Sequence, residues 1–161
     1  MTGEDAVLNL NSLGYTKIAF FKYGLNKKVN LRQKGYCKGI ERLGLQYKKI
    51  ITYPMSKNWL KKRIQSLLSK ENRPEVIIFD WHPAAVLAQI VMSQIDLELV
   101  NKVKILVFDP GILEQEIGFY AMVQPLHEIV ETSVELLTAK EWKCKTINIQ
   151  AKFINYGGEN E

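Results

Sequence analysis

Cysteine is scarce and long apolar runs are missing, and each shortage removes a class of protein. Cys37 and Cys144 stand far apart beside lysines, with no metal-ligand spacing around either. A disulfide scaffold and a structural zinc are thereby excluded, and reduced cytosolic thiols are expected. No apolar run reaches the roughly 18 residues needed to span a bilayer, and Met1 to Asp5 is too polar for a signal peptide, so a soluble cytoplasmic protein is expected. After the first strand-like run stands Lys22-Tyr23-Gly24-Leu25-Asn26 rather than GxGxxG, and no glycine-rich loop ends in Gly-Lys-Ser or Gly-Lys-Thr. A dinucleotide site and a P-loop are unsupported. His82 and His127 are far apart, and neither has a serine or cysteine in a nucleophile-elbow setting. His127 reads as a helix-surface residue and His82 as a cap or a solvent-facing side chain. No catalysis, cofactor or metal is expected.

What remains is an ordinary globular composition. At 161 residues, with 47% hydrophobic, 24% charged and 10% aromatic side chains, the chain suits one domain with a sizeable core. The net charge of +5 raises the question of nucleic acid. Lys27-Lys28, Lys48-Lys49 and Lys61-Lys62-Arg63 are separated by acids and are not interleaved with aromatics, so they read as a solvated face rather than a binding stripe.

Strand-type runs alternate with amphipathic stretches along the whole chain. A short helix is expected over Leu8 to Leu13, closed by Gly14. A strand over Lys17 to Tyr23 follows, then a helix over Asn30 to Leu43 and a strand over Ile50 to Tyr53. The helix over Asn58 to Ser69 carries Leu60, Ile64, Leu67 and Leu68 on one face. After a strand over Glu75 to Phe79, Pro83 begins a helix expected to face inward with Val86, Leu87, Ile90, Val91 and Ile95. A strand over Val103 to Phe108 comes next. Pro125 opens a helix expected to face inward with Leu126, Ile129, Val130, Val134 and Leu137, and Thr146 to Phe153 alternates as an edge strand. The last residues, Gly157 to Glu161, read as a frayed tail. This alternation predicts an α/β fold: a doubly wound, mostly parallel sheet with helices on both faces.

In such sheets ligands lie beyond the carboxyl ends of the strands. Two strands end there in an acid followed by a break, Asp80-Trp81-His82-Pro83 and Asp109-Pro110-Gly111. Either acid alone suits a turn or cap, but two at matching rim positions suggest a site. Arg32, Tyr53 and Gln124 join them as rim candidates. Carboxylates, a guanidinium and an aromatic face suit a polyhydroxylated ligand, whereas a phosphate would meet two acids.

Three segments in order resemble the lactose-repressor/galactose-repressor (LacI/GalR) family of bacterial transcription regulators. They are Leu13 to Phe21 with Arg32-Gln33-Lys34-Gly35-Tyr36; Val76 to Ala84; and Ile105 to Asp109 followed by Met122-Val123-Gln124-Pro125 and Thr132 to Leu137. The likeness is to the C-terminal lobe of the family's effector-binding domain, a periplasmic-binding-protein-like unit, and it spans residues 1–161. It implies that Arg32, Asp80, Asp109 and Gln124 contact a small-molecule effector, most often a sugar, and that Tyr53 stacks on it. It also implies allosteric control of DNA binding by a helix-turn-helix domain and an N-terminal lobe that are not in this sequence. The helix over 125–138 would pack on that other lobe, leaving its apolar face without a partner in this chain. A homodimer is implied, with Pro83 to Ile95 and the loop after Asp109 contributing. Trp81, Pro110, Val107 and Tyr120-Ala121 depart from the family pattern, which leaves the effector's identity open.

Two other readings stay open. An extracytoplasmic solute receptor would share the lobe architecture. A phosphoacceptor receiver domain is suggested by the run from Val76 to Pro83, although its magnesium chemistry needs an acid pair at the end of the first strand, where Lys22-Tyr23-Gly24 stands.

Overall fold

In the computed structural model, residues 2–24, 30–54, 56–69, 71–139 and 146–158 are described. Cys144 and residues 159–161 of the expected tail lie outside them. The elements run α1 (Thr2–Ser12), β1 (Ile18–Tyr23), α2 (Leu31–Arg42), β2 (Lys48–Tyr53), α3 (Lys57–Leu68), β3 (Val76–Phe79), α4 (His82–Ile95), α5 (Leu97–Lys102), β4 (Lys104–Phe108), α6 (Ile112–Ile117), β5 (Tyr120–Val123), α7 (Leu126–Thr138) and β6 (Lys152–Asn155). The strands form one sheet in the order β2-β1-β3-β4-β5-β6. All pairings are parallel except the last, where Tyr120 lies opposite Asn155. The expected fold class is the observed one.

Each central strand is buried on both sides, so neighbouring residues serve opposite cores. Phe21, Ile77, Phe79, Ile105 and Val107 pack under α3, α4 and α5. Phe20, Ile78, Leu106 and Phe108 pack under α1 and α2. α1 and α2 approach closely: a methyl group on Gly3 would lie 2.1 Å from the Arg32 carbonyl oxygen. That contact fixes the first turn of α2, and with it Arg32, over the carboxyl end of the sheet.

Several expectations need correction. α1 begins at Thr2 rather than Leu8, because Ala6, Val7 and Leu10 form its buried stripe. α4 buries Ala84, Ala85, Ala88, Val91 and Met92, while Ile90 and Ile95 are exposed. Both stripes have helical spacing, and the alanine side lets the helix lie closer to the sheet. α7, expected to face inward, has no buried residue; Leu126 is 67% exposed and Val134 53%, so most of its apolar side is uncovered among the described residues. The edge strand is only Lys152–Asn155. α5, α6 and β5 have no counterpart among the expected elements.

Candidate functional site

The carboxyl ends of β1, β3, β4 and β5 share one rim, and a single guanidinium ties three of the expected residues together there. Arg32 donates from Nη1 to the Asp80 carbonyl oxygen at 2.9 Å and from Nη2 to Asp109 Oδ2 at 2.8 Å. Its plane lies over Phe108, with Cζ 4.4 Å from the ring centroid, a cation–π contact. Gln124 completes the group: its backbone N–H donates to Asp109 Oδ1 at 3.1 Å and its Nε2 to Asp109 Oδ2 at 2.9 Å. Asp109 reaches these partners from a left-handed backbone, φ 52°, which aspartate tolerates better than most residues.

Asp80 sits deeper. Its Oδ1 accepts from the Tyr23 N–H at 2.7 Å and its Oδ2 from Asn30 Nδ2 at 2.9 Å. Burial pushes the Asp80 carboxyl above its ordinary range, and those two bonds, with the charge of Arg32, only partly offset it. Asn30 is also the N-cap of α2, accepting from the Gln33 N–H at 2.7 Å. One side chain therefore orients Asp80 and starts the helix that carries Arg32.

Tyr53 is not with them. It is 1% exposed inside the core, its ring 6.0 Å from Phe21 and 6.5 Å from Trp59, and its hydroxyl has no hydrogen-bond partner among the described residues. Covered by α3, it presents no face for stacking. The aromatic pair at this rim is Tyr23 and Trp81, with ring centroids 4.8 Å apart and an interplanar angle of 32°. Both were missed, although Trp81 directly follows Asp80. Asn30 and Phe108 were missed too; the N-cap spacing of Asn30 ahead of α2 was a usable signal.

A cleft of about 330 Å³ opens beside this network, lined by Arg32, Phe108, Asp109, Gln124, Ile129 and Ala151 among others. Donors and acceptors already paired with one another line it, so it can exchange those bonds for the hydroxyls of a small polar ligand. Among the described residues no group of three or more His, Cys, Asp or Glu side chains is placed to hold a metal ion, the donor set a phosphoacceptor aspartate would need. No helix among them is long and apolar enough to cross a membrane. His127 lies on the exposed surface of α7 beside Glu131, as expected. His82 does not cap α4; its side chain is 38% exposed, as a solvent-facing residue would be, and one ring nitrogen is bonded to Glu114.

Among solved structures, a LacI-family regulatory protein from Chloroflexus aggregans superposes with a TM-score of 0.79 at 22% identity, covering 96% of this chain and 59% of that one. The chain has the fold of LacI-family regulators. A sugar-binding LacI-family transcriptional regulator from Escherichia coli, complexed with phosphate, gives a TM-score of 0.75 at 14% identity, over 96% of this chain and 58% of its own. An uncharacterized protein from Actinobacillus succinogenes gives 0.69 at 21%, over 95% and 59%. This copy of the LacI-regulator fold spans less than two thirds of each of those chains. No protein-family model matches the chain, and no curated protein matches its sequence.

Proposed function

We propose that the chain is one lobe of the effector-binding domain of a LacI-type transcription regulator, binding a small polyhydroxylated molecule, most plainly a sugar, at the carboxyl rim of its sheet. The observation that carries this reading is the convergence of Arg32, Asp80, Asp109 and Gln124, from one helix and three strand ends, on a single network beside a cleft. A sugar hydroxyl donates and accepts at once. It can take the place of Arg32 or Gln124 on Asp109 while accepting from the group it displaces, which a purely anionic or apolar ligand cannot do.

The exposed apolar stripe of α7 supports a second lobe closing over the ligand. Binding between two lobes favours one hinge angle, and a ligand needs about 5.5 kcal/mol of differential affinity to move such an equilibrium from mostly one state to mostly the other. DNA contact in this reading belongs to a separate helix-turn-helix domain, the protein works in the cytoplasm as a homodimer, and it catalyses nothing.

Saturation-transfer NMR of this chain against a panel of pentoses and hexoses tests the reading. With half the contacts supplied by another lobe, at least one sugar is expected to bind in the millimolar range and to be lost on Arg32→Ala with the fold retained. A panel without any transfer, or transfer that survives Arg32→Ala unchanged, overturns it.

A further inference from the structure

One pair of side chains outside the Arg32 network joins the loops that feed it. Glu114, on α6, is 3% exposed, and its Oε1 lies 2.7 Å from Nδ1 of His82, the first residue of α4. Burial alone would raise the Glu114 carboxyl. The bond from His82, with backbone N–H groups at Glu114 and Gly111, holds it below the usual carboxylate range. An anionic carboxylate only accepts, so it fixes the proton on Nδ1 and thereby the orientation of the ring.

The placement of this pair gives it a role. His82 comes two residues after Asp80, and Glu114 comes five after Asp109. The loop between them rests on the dyad: a methyl group at Gly111 would sit 3.0 Å from Glu114 Oε2 and 3.9 Å from His82 Cε1. Arg32 spans the same two loops, with one nitrogen on the Asp80 carbonyl and the other on the Asp109 carboxylate. Its fork is planar and of fixed width, so both bonds survive only at one loop separation.

We infer that His82 and Glu114 are positioning residues of the rim, setting the distance between the Asp80 and Asp109 loops so that Arg32 can bridge them. The structural half of this inference needs no ligand; its consequence for binding rests on the effector-site reading above.

The test compares wild type, His82→Ala, Glu114→Ala and Glu114→Gln by the NMR signals of the Arg32 guanidinium and the amide shifts of Asp109 and Gln124. In wild type, the paired fork should give slowly rotating, resolved Nη–H signals. His82→Ala and Glu114→Ala should each collapse them and move both amides. Glu114→Gln keeps an oxygen that accepts from Nδ1 but gives up the second acceptor used by the Glu114 and Gly111 N–H groups, and should restore the wild-type pattern in part, with resolved Nη–H signals that His82→Ala lacks. Ile64→Val, a core change in α3, should leave it untouched. His82 is exposed enough for its variant to fold, so His82→Ala against Glu114→Gln decides the matter if Glu114→Ala does not fold. Arg32 signals in His82→Ala matching those of wild type overturn the inference. For any sugar that binds wild type, the dissociation constant should rise at least fivefold in His82→Ala and by less in Glu114→Gln; an unchanged constant in His82→Ala overturns the functional half. If no sugar binds wild type, the effector reading fails by itself, and the Arg32 signals still decide the coupling.

Discussion

Arg32 and Asp109, 77 positions apart in sequence, meet at 2.8 Å with about a third of each side chain open to solvent. An ion pair so exposed contributes little to folding. What it does is hold a helix and a strand end in register across the mouth of the sheet.

Replacing Arg32 should therefore separate stability from site geometry. Arg32→Ala is expected to cost about 1 kcal/mol in urea denaturation while moving the Asp109 and Gln124 amides. Arg32→Lys should fail to restore them, because one ammonium cannot serve both the Asp80 carbonyl and the Asp109 carboxylate. A loss of more than about 3 kcal/mol would mean that the residue is chiefly structural.

The Tyr53 hydroxyl is buried without a partner among the described residues, and burial together with the nearby Asp80 charge pushes its ionisation well above the ordinary tyrosine range. An unsatisfied buried hydroxyl costs about 1–3 kcal/mol. Tyr53→Phe is thus expected to melt at least about 2 °C above wild type, and a fall of several degrees would show that the hydroxyl has a partner.

Two carboxylates should respond to pH with opposite sign. Burial alone would raise Glu75, but it accepts from the Lys17 and Thr16 N–H groups at 2.9 and 2.8 Å and is held low. Its contribution is present above the unfolded value of about 4.3 and is lost as pH falls. Asp80, raised by burial, contributes below about 3.9, and that contribution is lost as pH rises through its folded value. Urea midpoints from pH 3 to 7 should show the gap between wild type and Glu75→Gln widening with pH, and the gap between wild type and Asp80→Asn narrowing. Parallel gaps would contradict both assignments.

The uncovered face of α7 should make the isolated chain self-associate. Val134→Glu is expected to shift sedimentation toward monomer with a stability change within about 0.5 kcal/mol, as at other exposed positions. A large destabilisation would mean that the helix is packed within the chain.

Long elements were readable because their apolar period repeats: α3 buries Leu60, Ile64, Leu67 and Leu68 as its spacing requires. α5 and α6 have six residues each, too few for a helical period to emerge, and β5, no shorter than the readable β3, has one β-branched residue where β3 has three. Arg32, Asp80, Asp109 and Gln124 were readable as rim positions because each stands where a strand ends or a helix starts. Tyr53 was misjudged for a tertiary reason. It pairs in register with Tyr23 at the same rim, and only the packing of Trp59 from α3 decides which of the two rings is covered. The His82–Glu114 bond joins residues 32 positions apart, and no local pattern announces it.

The most direct test of a single ligand rim is a backbone amide map of this chain titrated with the best-binding sugar of the panel. Shifts confined to residues around Arg32, Asp80, Asp109 and Gln124, with Tyr23 and Trp81 responding beside them, are predicted. Shifts that leave those positions unmoved and gather at the amino end of the sheet, around Asn101, Lys104 and Asn155, would contradict the account.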